Sequence, residues 1–142
     1  MTRPRTPELS VDVVIELLDR PGRPIVLIRR DRPPPGHAFP GGFVDIGETV
    51  ERAAAREARE ETGLEITLGD LLGVYSDPGR DPRGHTVSVV YVATASGTPA
   101  AGDDAAAILV TEPEAAPALA FDHDRILDDY KRWRRHRASA RG

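Results

Sequence analysis

Short apolar runs separated by turn residues dominate the chain, a pattern typical of β-strands joined by loops. The runs predict strands at residues 9–18, 24–30, 38–44, 66–77, 85–95 and 105–110. The residues from Asp19 to Gly22 have turn chemistry, so the first two strands are expected to form a hairpin. Prolines and glycines mark residues 31–37, 78–84 and 97–104 as loops.

Two segments carry a helical pattern instead. Thr49 can cap the first segment, and Gly63 lies where a left-handed C-terminal cap is expected, so this helix is predicted over residues 50–62. The second helix is predicted over residues 122–136, where apolar residues recur at helical spacing. These apolar residues are Ile126, Leu127, Tyr130 and Trp133.

The first helix concentrates acidic residues on one side. Glu57, Glu60 and Glu61 are spaced i, i+3 and i+4, which places three carboxylates on the same face. Like charges at this spacing destabilise an isolated helix by roughly a few tenths of a kcal/mol each. Divalent cations such as Mg²⁺ or Mn²⁺ prefer hard oxygen ligands and would turn this repulsion into a binding site. The alternative is a solvated helix with ion pairs such as Arg56–Glu60.

Composition narrows the class of protein. A chain of 142 residues with 39% hydrophobic and 30% charged residues is expected to form one globular domain, with residues 1–8 frayed and residues 138–142 as a tail. The absence of cysteine excludes thiolate catalysis and cysteine-ligated metals. No run of 18 apolar residues and no signal peptide is recognised, so we expect a cytoplasmic protein without a membrane partner.

The stretch from Gly42 to Leu64 resembles the signature of the Nudix hydrolases, Gly-x5-Glu-x7-Arg-Glu-U-x-Glu-Glu-x-Gly-U, where U is aliphatic. The matching residues are Gly42, Glu48, Arg56, Glu57, Glu60, Glu61, Gly63 and Leu64. Ala58 is a small version of its aliphatic position, and Pro40 and Gly41 complete a Pro-Gly-Gly segment common in the family. The resemblance implies an α+β fold, a Nudix-type α/β/α sandwich with a mixed β-sheet.

The resemblance also implies roles in a metal-dependent site. Glu57, Glu61 and the backbone carbonyl of Gly41 match metal ligands for Mg²⁺ or Mn²⁺, and Glu60 matches a further ligand or a water-orienting carboxylate. Arg56 and Glu48 are expected to pair and to hold the shape of the site, since the guanidinium fork binds a carboxylate through two hydrogen bonds. Glu48 has the alternative of reaching a metal. These five side chains form the predicted catalytic set together with Asp104.

A second stretch, residues 76–85, offers donors for a substrate. Arg80, Arg83 and His85 are candidates for binding phosphate or sugar, against the alternative of a solvated turn with local Asp–Arg pairs. The Asp-Pro-x-Arg-Asp-Pro-Arg-x-His run looks like the corresponding loop of small prokaryotic ADP-ribose pyrophosphatases within the Nudix group. The segment of residues 119–123, Leu-Ala-Phe-Asp-His, shares this resemblance.

Other charged residues carry further predictions. Many Nudix enzymes place an acidic residue on a late loop, so Asp104 is predicted to act in catalysis and Asp103 in substrate binding, with simple solvent exposure as the alternative. The histidines at 37, 123 and 136 are expected to be surface or packing residues. The basic cluster at residues 131–137 is preceded by aspartates on the same helix and suits a solvated helix end, so no nucleic-acid partner is expected.

These features favour an enzyme that hydrolyses the diphosphate bond of a nucleoside diphosphate derivative. The subfamily resemblance implies ADP-ribose as substrate, with AMP and ribose 5-phosphate as products, and a homodimer. The alternatives are a nucleoside triphosphate pyrophosphohydrolase and a sensor that binds ADP-ribose without cleaving it. All three helix glutamates are present and no DNA-reading segment follows Gly142, so we expect a hydrolase rather than a sensor.

Overall fold

A computed structural model describes residues 2–102 and 105–141 of the chain. In these residues seven strands form one sheet with an α-helix on each face. The elements are β1 (Glu8–Leu17), β2 (Ile25–Arg30), β3 (Gly36–Ala38), β4 (Gly41–Phe43), α1 (Val50–Thr62), β5 (Thr67–Tyr75), β6 (Thr86–Ala95), β7 (Ala105–Thr111) and α2 (His123–Arg141). A single 3₁₀ turn, Pro113–Ala115, follows β7.

Strand β1 lies at the centre of the sheet. The order along the main path is β3-β2-β1-β6-β5, with β4 added to β1 and β7 added to β2. β1 and β6 run parallel from the Glu8–Thr86 pair to the Leu17–Ala95 pair, whereas β1 is antiparallel to β2 and to β4. The predicted hairpin and the predicted mixed sheet are therefore confirmed.

Helix α1 covers one face of β1 because its inward positions are small. Ala53, Ala54 and Ala58 are fully buried against alternate β1 residues that include Val11 and Val13. Side chains alternate between the two faces of a strand, so the intervening β1 residues point to the opposite layer. Short alanine side chains let the helix approach the sheet closely, which brings the glutamates further along α1 to the edge of β4.

Helix α2 covers the opposite face with larger side chains. Ile126, Leu127 and Tyr130 are buried in a second core with Val14 of β1 and Val90 of β6. The predicted α/β/α sandwich is therefore confirmed. No helix in the described part of the chain combines the length and apolar character needed to cross a membrane.

Three predicted boundaries were wrong. The predicted loop 31–37 ends in strand β3, which pairs with β2 through Ile28–Ala38 and Arg30–Gly36. Helix α2 continues to Arg141, past the predicted end at 136 and into the predicted tail, because no proline or glycine interrupts it before Gly142 and alanine favours the helix. Glu8, expected to be frayed, begins β1 and donates its N–H to the carbonyl of His85, 3.2 Å away.

Candidate active site

Two glycines allow strand β4 to lie between a helix and the central strand. A Cβ added at Gly42 would lie 2.5 Å from the carboxylate of Glu57 on α1. A Cβ added at Gly41 would overlap the backbone oxygen of Val11 and a carboxylate oxygen of Asp12 on β1. Glycine is therefore required at both positions, because α1 approaches the strand closely at Gly42 and β1 does so at Gly41. A carboxylate lies beside each glycine, Glu57 at Gly42 and Asp12 at Gly41.

Local capping signals fix the position of α1 relative to these glycines. The side chain of Thr49 accepts the N–H of Arg52 at 3.1 Å, and Gly63 ends the helix at φ 71° with its N–H bonded to the carbonyl of Arg59. The helix therefore spans the predicted 50–62. The N–H of Gly41 donates to Oε2 of Glu61 at 3.3 Å, which joins β4 to the last turn of α1.

Arg56 connects the loop before the helix to the glutamates on it. Its guanidinium donates two hydrogen bonds to Glu48, at 2.7 and 2.9 Å, one to Glu57 at 2.8 Å, and one to the carbonyl of Phe43 at 3.0 Å. A longer contact of 3.3 Å reaches Glu60. The predicted Arg56–Glu48 pair is present, and it keeps Glu57 in a fixed orientation beside β4.

These contacts perturb the ionisation of the pair. The hydrogen bonds from Arg56, followed by the Asp45 N–H, lower the pKa of Glu48 to about 2. The hydrogen bond to Glu48 is the main cause that raises the pKa of Arg56 above its ordinary value. Both side chains therefore stay charged at neutral pH and well below it.

A cavity of about 250 Å³ lies beside the glycine pair and has walls of opposite charge. Glu57 and Glu61 line it on the side of α1, and Asp12 lines it from β1. Arg30 at the end of β2 and Arg83 of the 76–85 loop line it as well. Carboxylates that could hold cations therefore share one cavity with guanidinium groups that could bind an anion.

The structure separates Glu60 from the other two glutamates. The side chain of Glu60 is 58% exposed and does not line the cavity, whereas those of Glu57 and Glu61 are largely buried beside it. The i, i+3, i+4 spacing places three carboxylates on one side of α1, but only the two that face β4 reach the cavity.

The candidate substrate donors of the 76–85 loop occupy different positions. Arg80 is held by Asp122 through hydrogen bonds of 2.9 and 2.8 Å, so its guanidinium joins the loop to the start of α2 even though it borders the cavity. Arg83 pairs with Asp81 at 2.8 Å and lines the cavity. His85 lies 3.0 Å from the carbonyl of Ser76 and lines a neighbouring groove instead. Asp103 and Asp104 lie outside the described residues.

Arg30 and Phe121 are cavity residues that the sequence interpretation missed. Arg30 lies 4.7 Å from the centroid of the Phe121 ring, and Arg83 lies 5.1 Å from the same ring. Burial, followed by the neighbouring Arg83, lowers the pKa of Arg30. Phe121 lies in the 119–123 segment, but the resemblance gave it no role, and no local pattern marks Arg30. The ring and the two arginines come from three distant parts of the chain.

Asp12, Ser88 and His123 form a further group that was missed. The hydroxyl of Ser88 donates to Oδ2 of Asp12 at 2.5 Å, and Nε2 of His123 lies 3.6 Å from the same oxygen. His123, which was expected to be a surface or packing residue, is buried in the cavity wall. A signal was available for Asp12, since it is a charged residue within the apolar run Val11–Ile15.

The donor set beside the glycines suits a hard divalent cation. In the described part of the chain, no three His, Asp or Glu side chains converge into a metal-binding cluster by themselves. Glu57 and Glu61 nevertheless provide carboxylate oxygens next to β4. In an extended strand the N–H and C=O of one residue point the same way, so the Gly41 carbonyl faces the same side as its N–H, towards Glu61. Oxygen ligands of this kind are those that Mg²⁺ and Mn²⁺ prefer.

Comparison with known proteins identifies the class. The family model described as NUDIX domain matches residues 7–130, and the chain belongs to this family. The predicted assignment as a Nudix hydrolase is therefore confirmed. Hydrolases of this family generally use divalent metal ions.

Individual relatives agree with this assignment. The chain is 45% identical over 130 residues to an ADP-ribose pyrophosphatase from Methanocaldococcus jannaschii, a match that covers 90% of this chain and 75% of that protein. A mutT/nudix family protein from Listeria innocua has a similar structure, with a TM-score of 0.78, 36% identity, and coverage of 96% of this chain and 99% of that one. The NUDIX domain of Shewanella oneidensis NrtR, solved in complex with ADP ribose, shares the fold with a TM-score of 0.76 at 24% identity, over 90% of this chain and 88% of that one.

Proposed function

We propose that the protein hydrolyses the diphosphate bond of ADP-ribose and releases AMP and ribose 5-phosphate. The observation that carries this proposal is the placement of Glu57 and Glu61 beside the Gly41–Gly42 pair, in one cavity with Arg30 and Arg83. The 45% identity to an ADP-ribose pyrophosphatase over most of the chain supports the choice of ADP-ribose. A nucleoside triphosphate is the alternative substrate, since it carries the same diphosphate group.

The acidic wall of the cavity is the proposed cation site. Glu57, Glu61 and the carbonyl of Gly41 would hold one or more Mg²⁺ or Mn²⁺ ions. Bound divalent cations lower the pKa of a coordinated water and neutralise charge on the attacked phosphate. Arg56 supports this site by holding Glu57 through the 2.8 Å hydrogen bond, while Glu48 keeps Arg56 in place from the other side.

Glu60 suits an outer role in this proposal. Its exposed carboxylate is tied to Arg56 and does not line the cavity. It would therefore act by orienting Arg56 or a water at the rim rather than as a principal ligand. Asp104 is kept as a further catalytic candidate and Asp103 as a substrate-binding candidate.

The basic wall is the proposed site for phosphate oxygens. Arg30 and Arg83 lie against the ring of Phe121, and this contact fixes both guanidinium groups at the cavity. Guanidinium groups bind phosphate through directed hydrogen bonds and would hold oxygens that the cations do not reach. Arg80 is expected to contribute through the position of its loop, since Asp122 already engages its guanidinium.

A substrate panel tests the proposal. Purified protein would be incubated with ADP-ribose, NADH, diadenosine polyphosphates and dNTPs, each with Mg²⁺ or with Mn²⁺, and the products identified by chromatography. We expect ADP-ribose to give the highest kcat/KM, with AMP released. A preference for dNTPs would replace ADP-ribose with the alternative substrate, whereas binding of ADP-ribose without turnover would indicate a sensor.

The cellular setting of the proposal rests on resemblance to related enzymes. We expect a homodimer that works in the cytoplasm on a small nucleotide, without a nucleic acid or membrane partner. Light scattering of the purified protein coupled to gel filtration measures the oligomeric state directly, and a mass of one chain would contradict the homodimer.

A further inference from the structure

His123 is a buried polar residue in the wall of the cavity. It opens helix α2, is only 3% exposed, and contacts the rings of Phe39 and Phe121 at centroid distances of 5.5 and 5.3 Å. Its imidazole ring has two nitrogens, and in the neutral form one of them carries a proton. The hydrogen bonds of those nitrogens show which one carries the proton.

The Nδ1 atom of His123 is an acceptor. The backbone N–H of Phe39 donates to it at 3.1 Å, in a buried contact between residues 84 positions apart. A ring nitrogen that accepts a hydrogen bond carries no proton, so the proton of the neutral ring is on Nε2. The fold therefore fixes the tautomer and directs Nε2–H along the cavity wall.

The Nε2–H group lacks a hydrogen-bond partner among the described residues. Its nearest charged neighbour is Oδ2 of Asp12, at 3.6 Å, which is too long for a hydrogen bond. That oxygen already accepts the hydroxyl of Ser88 at 2.5 Å. His123 lines the cavity, so an acceptor group of a bound ligand can take this hydrogen bond.

We infer that His123 and Asp12 form a binding pair for a sugar hydroxyl of the substrate, with Nε2–H as donor and the Asp12 carboxylate as acceptor. The inference rests on the proposed function, because ADP-ribose brings a ribose to each side of its diphosphate. A hydroxyl both accepts and donates, so it satisfies the imidazole and the carboxylate at once. A phosphate oxygen would satisfy the imidazole but would be repelled by Asp12.

The position of Asp12 agrees with this role. Its other oxygen lies where a Cβ of Gly41 would be, and the Glu57 carboxylate lies where a Cβ of Gly42 would be, so Asp12 and Glu57 are on opposite faces of β4. A diphosphate held by the proposed cation site would leave an attached sugar within the same cavity. The pair would therefore contribute to substrate binding rather than to the attack on phosphorus.

Two substitutions of His123 separate the two ring nitrogens. His123→Asn keeps an acceptor near the position of Nδ1 for the Phe39 N–H but removes the Nε2–H donor. His123→Gln places an amide donor near the position of Nε2 and removes the Nδ1 acceptor. We expect His123→Asn to lose about tenfold in kcat/KM for ADP-ribose, mainly through KM, and His123→Gln to retain more of it. Thermal unfolding of both variants reports any loss of folding.

A series of ADP-ribose analogues, each lacking one hydroxyl of the adenosine ribose or of the terminal ribose, identifies the group that is bound. We expect kcat/KM for one analogue to be about tenfold lower than for ADP-ribose with the wild-type protein. With His123→Asn the same analogue should cause no further loss, because the substitution has already removed the hydrogen bond that the missing hydroxyl would make. Equal losses for every analogue in wild type and variant would overturn the inference. Wild-type protein that leaves ADP-ribose intact would instead overturn the proposed function.

A measurement without metal or turnover tests the pair independently. The imidazole ¹H–¹⁵N spectrum of the full chain would be recorded alone, with AMP, and with ribose 5-phosphate, and the His123 signals assigned by their loss in His123→Asn. We expect the Nε2–H tautomer in the free protein and a shift of its signal with one of the two ligands. An Nδ1–H tautomer, or a signal that neither ligand moves, would overturn the inference.

Discussion

Gly41 and Gly42 are adjacent residues, and different groups occupy the space where a side chain would be at each position. The space beside Gly42 is occupied by the end of a flexible side chain, the carboxylate of Glu57. The space beside Gly41 is occupied by backbone, the carbonyl oxygen of Val11, together with Asp12. A methyl group at Gly42 should therefore lower activity, whereas a methyl group at Gly41 should lower stability.

The two alanine substitutions form a matched pair. In Gly42→Ala the Glu57 carboxylate must move, so we expect hydrolysis of ADP-ribose to fall by about tenfold or more while the free energy of unfolding changes by less than about 1 kcal/mol. In Gly41→Ala the strand must move away from β1, and we expect a loss of about 1–3 kcal/mol. Urea unfolding and steady-state kinetics measure both. Full activity in Gly42→Ala, or wild-type stability in Gly41→Ala, would contradict this account.

Glu48 gives a pH-dependent prediction. Its pKa is about 2 in the folded protein, against a reference value of 4.5, so its contribution to stability is complete above pH 4.5 and is lost as the pH falls towards 2. The stability difference between wild type and Glu48→Gln should therefore be constant from pH 7 to about 5 and shrink between pH 4.5 and 2. Denaturant unfolding at a series of pH values measures this difference. A stability difference that stays unchanged down to pH 2 would show that the hydrogen bonds from Arg56 do not stabilise the ionised form of Glu48.

The junction between the 76–85 loop and helix α2 depends on a buried ion pair. Arg80 and Asp122 are 42 positions apart, and their side chains are only 4% and 20% exposed. The pair fixes the loop that carries Arg83 relative to the helix that begins with His123. The Arg80–Asp122 ion pair therefore positions both Arg83 and His123 at the cavity.

Removal of Arg80 should destabilise the fold far more than removal of an exposed arginine. Arg80→Met leaves Asp122 without its partner, and we expect a loss of about 3 kcal/mol in the free energy of unfolding. The matched control is Arg59→Met, because Arg59 pairs with Glu65 at the surface, where the side chains are 58% and 80% exposed. This control should lose less than about 1 kcal/mol. Similar losses in both variants, measured by urea unfolding, would contradict the structural role of Arg80.

The sequence predicted most accurately those features that depend on neighbours in the chain. Helix α1 was located at its observed ends because Thr49 and Gly63 are local caps, and the Arg56–Glu48 pair follows from a fixed motif. The engagement of Arg80 by Asp122 and the burial of His123 beside Asp12 depend on contacts between distant segments. Composition and periodicity do not contain this information, so the substrate side of the cavity could not be predicted in detail.

The sandwich as a whole brings three layers to a single cavity. Helix α1 supplies Glu57 and Glu61, the sheet supplies Asp12 and Arg30, and the start of α2 supplies His123. The protein carries a net charge of −4, yet arginines that include Arg30 and Arg83 line the cavity beside the carboxylates. This arrangement suits a polyanionic substrate that is held by cations on one side and by arginines on the other.

The measurement that tests the central proposal most directly is the product ratio from ADP-ribose in the presence of Mg²⁺ or Mn²⁺. Wild-type protein should release AMP and ribose 5-phosphate in equal amounts. Glu57→Gln should lower kcat by about a hundredfold or more, because it weakens the proposed cation site. Glu51→Gln, a change at an exposed glutamate on the same helix, should leave kcat unchanged. Absence of AMP from the wild-type reaction, or equal rates for wild type and Glu57→Gln, would contradict the proposed function.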